Sequence, residues 1–135
     1  MREKRIEKAL KDIYVDRLDK EVDRAKNWFE KTFKDIKMSG QLLKLEEELR
    51  EIRRAPKEEE KKELADVLIV IGGLRKFNSV LGNTLFNLIV DRMSFDEVAE
   101  MIELVNDKMI INKCRKWYKT KDGRYRHVKN KNGGK

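Results

Sequence analysis

Apolar positions recur at helical spacing along almost the whole chain. Over residues 1–23 they form only a thin line, Ile6, Leu10, Ile13 and Leu18, among densely alternating charges, which predicts a narrow amphipathic helix. From Val22 the line broadens. Val22, Ala25, Trp28, Phe29, Phe33 and Ile36 follow the i, i+3, i+4 rule and bring three aromatic rings to one side, the pattern of a helix packed on a core. Ser39 and Gly40 interrupt it. A further helix is expected from about Gln41 through Leu42, Leu45, Leu49 and Ile52. It stops at Pro56, the only proline, which lacks the amide that a helix interior needs. The charged run of residues 57–62 then leads into Leu64, Val67, Leu68, Ile71 and Leu74. Between Val67 and Ile71 this segment is apolar nearly all round, so it is expected to be the central helix.

Residues 78–83, with Gly82, loosen the pattern ahead of a short helix holding Leu85, Phe86, Leu88 and Ile89. Ser94 and Glu97 then have capping-box spacing, each side chain able to satisfy an orphan amide at a helix start. Val98, Met101, Ile102, Val105 and Met109 give the helix that follows an apolar face, expected to persist to about Trp117. Beyond it, Asp122-Gly123 between strand-prone residues predicts a tight β-hairpin within residues 117–128, with positive φ at both central residues. Residues 129–135 have nothing apolar to anchor them and are expected to form a disordered basic tail. The fold class is therefore all-α with a small C-terminal hairpin. At 135 residues one core suffices, and the expected division is a charged helix over residues 1–23, a domain over 24–128 and the tail over 129–135.

Charge refines this picture. The net charge is +8, yet residues 113–135 carry ten Lys or Arg against one acid, Asp122, which leaves residues 1–112 at −1. The basicity belongs to the C-terminal end and is no property of the helical body. Cys114 stands alone and cannot form an internal disulfide. The longest apolar run, residues 67–71, is far short of the roughly 20 residues that span a bilayer, and the charged start offers no signal-peptide core. A cytoplasmic protein without a membrane partner is expected.

The candidate chemistry lies in acids. Glu48 and Glu51 are three apart on one predicted helix, and Glu63 and Asp66 are three apart on the next, so each pair projects from one side. Antiparallel helices joined by the short turn at Pro56 would bring the pairs face to face. Two like charges about 5 Å apart repel by roughly 3 kcal/mol at an effective dielectric of 20, so stability alone does not favour the arrangement. An all-oxygen donor set suits Mg²⁺ or Mn²⁺, which also bind phosphates. An ordinary solvated acidic face would share the spacing in so Glu-rich a chain, but Glu63 and Asp66 sit at the start of the apolar central segment, where acids must be tolerated beside a core.

These residues carry a resemblance. Residues 44–52, with Glu47, Glu48 and Glu51, followed by residues 62–69, with Glu63 and Asp66, resemble the EExxE and ExxD motifs of the MazG-like nucleoside triphosphate pyrophosphohydrolases. Gln41 and Lys44 stand where they often do upstream, and Arg50 replaces a glycine common in relatives. Lys108, Asn112 and Arg115 are similar to the family's KxxxNxxR element. Trp117, Asp122-Gly123 and the run Arg126-His127-Val128 resemble the ending of small phage-type and bacterial members, among which are enzymes acting on dATP, dGTP or dUTP.

The resemblance implies a four-helix core assembled as a dimer or tetramer, and Mg²⁺-dependent hydrolysis of a nucleoside triphosphate to the monophosphate and pyrophosphate by metal-activated water. On this basis Glu48, Glu51, Glu63 and Asp66 are the expected metal ligands. Glu47 is a further ligand or the group that polarises the water. Lys108, Asn112 and Arg115 form one helical stripe toward the triphosphate. Trp28, Phe29 and Trp117 are candidates for the base pocket and equally for the core, and His127 is expected to hydrogen-bond or line the pocket. The competing class is a helical nucleic-acid-binding module, with phosphate contacts from residues 113–135 and stacking by Trp117, Tyr118 and Tyr125. It leaves the paired acids unexplained, because they would repel a polyanion.

Overall fold

The computed structural model describes residues 1–129. The first helix, α1, runs unbroken over Arg2–Thr32, where the apolar pattern suggested a thin helix followed by a broader one. No Gly or Pro falls in this span, and its alternating charges form i, i+4 ion pairs such as Lys8–Asp12 and Lys20–Asp16, so nothing breaks the ladder. The helix passes straight through residue 23, and Leu18 and Val22 on the near side of that point are fully buried. Phe33 and Ile36 lie beyond the helix end, yet both remain buried in the turn that follows.

Helix α2, Met38–Arg54, takes Ser39 and Gly40 into its first turn. After Pro56 a single 3₁₀ turn, Lys57–Glu59, leads into α3, Glu60–Phe77. Helix α3 buries residues on every side between Val67 and Leu74, as its apolar pattern requires, and packs against α1, α2, α4 (Ser79–Val90) and α5 (Phe95–Cys114). Paired glycines allow two neighbours to come close. A Cβ on Gly72 would meet the Val22 carbonyl oxygen of α1 at 2.6 Å, and one on Gly73 would run into the amide of Gln41 from α2. Arg75 at the far end of α3 is buried, donating to Asp23 at 2.9 Å and Asp19 at 2.6 Å while its guanidinium lies 5.0 Å from the Phe86 ring centre.

Two element starts follow their caps. Asn78 accepts from the Leu81 amide at 3.0 Å and opens α4, so the stretch around Gly82 is helical rather than loose. The capping box at Ser94 is complete: Glu97 N–H donates to Ser94 at 3.2 Å, and Ser94 N–H donates to Glu97 at 3.0 Å. Helix α5 ends at Cys114, one turn earlier than its pattern suggested.

The expected hairpin is present, pairing β1 (Trp117–Lys119) with β2 (Tyr125–His127) in antiparallel register, Tyr118 opposite Arg126. Its turn differs from expectation. Gly123 has φ of +90°, whereas Asp122 does not have positive φ. The Gly123 amide bonds to the Thr120 carbonyl at 3.1 Å and the Thr120 amide to the Arg124 carbonyl at 2.8 Å, which makes a three-residue loop closed by a left-handed glycine.

Tyr125 anchors this hairpin to the end of α1. Its ring stacks on Phe33 at 4.1 Å, and Trp117 meets Trp28 edge-on at 5.7 Å. Each such pair contributes about 1 kcal/mol beyond the area it buries. The turn also lies so close to α2 that a Cβ on Gly40 would collide with the Gly123 carbonyl. No helix among the described residues is long and apolar enough to cross a membrane. Of the tail, only Lys129 lies within the described residues, and the expectation for 130–135 falls outside them.

Candidate active site

A cleft of about 960 Å³ opens between α2, α3, α5 and the hairpin, a size that suits a ligand as large as a nucleotide. The acids of α2 and α3 meet in it. Glu48, Glu63 and Asp66 each present an oxygen within 4.8 Å of the others, and Glu47, Glu48 and Glu51 form a second such group that shares Glu48. Helix geometry explains the convergence, because the three-residue spacing within each pair keeps both members on the face turned toward the other helix.

Glu48 sits deepest, only 7% exposed. Burial, reinforced by the charges of Asp66, Glu51 and Glu47 and opposed by Lys44, pushes its carboxyl up to about 8. Burial also raises Asp66, against the pull of Lys108, whose Nζ donates to it at 3.2 Å. Glu63 is raised by burial and then by the charges of Asp66 and Glu51. Among the described residues, one buried oxygen of Glu48 and one of Glu63 have no hydrogen-bond donor. Acceptor-only groups, crowded together, raised in pKa and missing donors, are what a hard divalent cation would satisfy. The donor set fits such an ion.

Glu47 behaves differently. Burial would raise it, but Lys44 and Arg126 outweigh that and hold it below the usual carboxylate range. Lys44 donates to one of its oxygens at 2.8 Å, and Arg124 and Arg126 share the other at 2.7 and 3.0 Å. Lys44 is itself buried, lies 3.8 Å from Glu48 and has its Nζ 5.1 Å from the Tyr125 ring centre. Gln41, fully buried one turn earlier, donates to the Val70 carbonyl at 2.9 Å and to the Tyr125 hydroxyl at 3.2 Å. It thereby ties α2, α3 and the hairpin together at the base of the cleft.

Lys108 and Asn112 share one face of α5, whereas Arg115, expected on the same helical stripe, is the extended residue that caps its end; all three line the cleft. Asn112 is buried, accepts from Arg115 at 3.4 Å and offers its backbone carbonyl to the Trp117 indole at 3.1 Å. Trp28 and Trp117 line the cleft as well as joining the aromatic cluster, whereas Phe29, at 1% exposure, belongs to the core alone. His127 lines the cleft beside Trp117. Its buried Nδ1 has no partner among the described residues, and burial lowers its pKa, with the Arg115 charge adding to the effect. Of the stacking residues that a nucleic-acid module would use, Tyr125 is buried, Trp117 is half-buried against the aromatic cluster, and only Tyr118 is exposed.

The two partners of Glu47 on the hairpin were not singled out from sequence: Arg124, and Arg126 apart from its place in a quoted run. The signal was available, since a strand carries alternate residues on one face, and Arg124 and Arg126 flank the apolar Tyr125.

A family model for dATP/dGTP pyrophosphohydrolases matches residues 21–133. The chain belongs to this family. It is accordingly a MazG-like nucleotide pyrophosphohydrolase, a hydrolase acting on nucleoside triphosphates. No curated protein and no solved structure matches the chain. Apart from Phe29, the residues of the pyrophosphohydrolase that the sequence proposed as ligand, catalytic group or substrate contact all line this cleft.

Proposed function

We propose that the chain hydrolyses dATP and dGTP between the α- and β-phosphates, giving the monophosphate and pyrophosphate, with Mg²⁺ as the working cation and Mn²⁺ able to replace it. The observation that carries this reading is the convergence of Glu48, Glu51, Glu63 and Asp66 with Lys108 and Arg115 in one cleft. The four acids hold the cation. When bound, it supplies positive charge that neutralises the phosphates and makes a water molecule more acidic. Glu47 orients that water or adds a ligand. Lys108, Asn112 and Arg115 face the triphosphate, Arg115 with a fork of donors and Lys108 with a point charge. Trp28 and Trp117 offer aromatic surface to the purine. We place the working unit in residues 24–128 together with the buried stretch of α1 that precedes it, and its action in the cytoplasm.

The test is release of pyrophosphate and monophosphate from a panel of ribo- and deoxynucleotides with Mg²⁺. Release is expected from dATP and dGTP, abolished by chelator and lost in Asp66→Asn. A folded protein that releases pyrophosphate from no nucleotide would sink the reading.

The reading includes assembly of more than one copy. Leu42, Leu43 and Leu49 expose apolar surface on α2, which a second subunit would cover. Light scattering is expected to give a mass of two or four chains, and a strictly monomeric particle at assay concentration argues against it.

A further inference from the structure

The two hairpin arginines have no assigned part in the reaction, and their arrangement is unusual. One oxygen of Glu47 accepts from both, and Lys44 occupies the other. Three cations thus converge on one carboxylate. Lys44 also lies 3.8 Å from Glu48, and Asp122 takes the Nε and Nη2 of Arg124 at 3.1 and 2.9 Å. That bidentate grip fixes the guanidinium plane and leaves Nη1 directed at Glu47. Arg126 has Glu47 as its ion-pair partner among the described residues, and it shares that one oxygen with Arg124.

Contacts other than the ion pairs also hold the hairpin in place. Tyr125 does so through Phe33 and Gln41, Trp117 does so through Trp28, and the Gly123 turn lies against Gly40. Arg126 is half exposed and Arg124 is partly so, with side-chain exposures of 47% and 19%, and both border the space that the acids share. Two arginine forks that share one carboxylate oxygen at the edge of a cleft match a polyphosphate.

We propose that Arg124 and Arg126 are the hairpin's phosphate clamp: on nucleotide binding one or both guanidinium groups transfer from Glu47 to the triphosphate, and Glu47 is freed to act in the cleft. Substrate arrival and release of Glu47 become one event. Asp122 is a positioning residue, holding Arg124 in the orientation that makes the exchange possible. The inference rests on the pyrophosphohydrolase reading above, and its test uses a ligand that can be followed without turnover.

Inorganic triphosphate is titrated into the full chain with Mg²⁺ and examined as an inhibitor, with the deoxynucleoside lacking phosphates as a control for the base end. In Arg124→Gln and Arg126→Gln, the KM for dATP and the Ki for inorganic triphosphate are expected to rise together, by about 10- to 100-fold for Arg124, while inhibition by the deoxynucleoside is unchanged. Arg124→Lys keeps the charge without the fork and falls between. Asp122→Asn raises both constants less, with a normal melting temperature. If the wild type turns over nucleotides but both Gln variants keep KM and Ki within twofold, the arginines are a structural latch and the proposal falls. If the wild type hydrolyses no nucleotide, calorimetric binding of inorganic triphosphate still decides: weakening in the variants supports the clamp, and equal binding overturns it.

Discussion

Glu48→Gln is expected to move activity and stability in opposite directions. Pyrophosphate release should fall by about 10²- to 10³-fold, the scale seen when one electrostatic group at a transition state is removed. The metal-free variant, at pH 7.5, should melt several degrees above the wild type. The reason is the site's own geometry. Glu48 is buried beside Asp66, Glu51 and Glu47, and its carboxyl is pushed up to about 8 from an ordinary 4.5. A group with a raised folded pKa holds its proton more tightly in the folded state. Its contribution is therefore fully present below about 4.5 and is lost as pH rises through 8. At pH 7.5 the wild type has given up most of it, on the order of 3 kcal/mol, whereas the glutamine has no proton to lose. Melting curves between pH 5 and 8 check this. The gap between the two proteins should close toward pH 5, and a variant less stable at every pH would remove Glu48 as the strained member of the cluster.

The second large effect concerns the cation. Mg²⁺ binding should tighten by about tenfold per pH unit as pH rises toward 8, because the ligand must part with its proton before it can coordinate. Above that value the dependence flattens. Calorimetry in buffers of differing ionisation enthalpy should count about one proton released per cation near pH 7. The same titration on Glu48→Gln should show weak binding and little proton release. Tight Mg²⁺ binding by the wild type without proton release would mean that Glu48 is already ionised, and the account of the cluster given above would be wrong.

The acid pairs were legible in sequence because helix geometry alone decides which residues share a face, and Pro56 forces the reversal that turns the two faces together. The centre of α3 was legible for a related reason: five consecutive apolar residues leave no side for water. The continuity of α1 was harder to see. A thin apolar line reads as a separate element, and what joins it to the broader stripe is the absence of any breaker, not a positive signal. The start of α4 rests on one Asn78 side chain, and Gly82 there answers to the close approach of Arg75 rather than to a loop. The hairpin loop gained a residue over the expected turn because Asp122 is engaged by Thr120 and Arg124, leaving the left-handed position to Gly123 alone.

Arg124 escaped notice because its partner Glu47 lies far away in the chain. Strand alternation sets Arg124 and Arg126 on one face, but it does not name Glu47 on α2 as the partner they share.

The docking of Trp117 and Tyr125 on Trp28 and Phe33 has a consequence for synthesis. Every acid of the cluster has been translated by residue 66, yet the wall of the cleft that carries Arg124 and Arg126 is made later and closes on residues made near the beginning. A message cut short before residue 117 would encode all five carboxylates and no finished pocket.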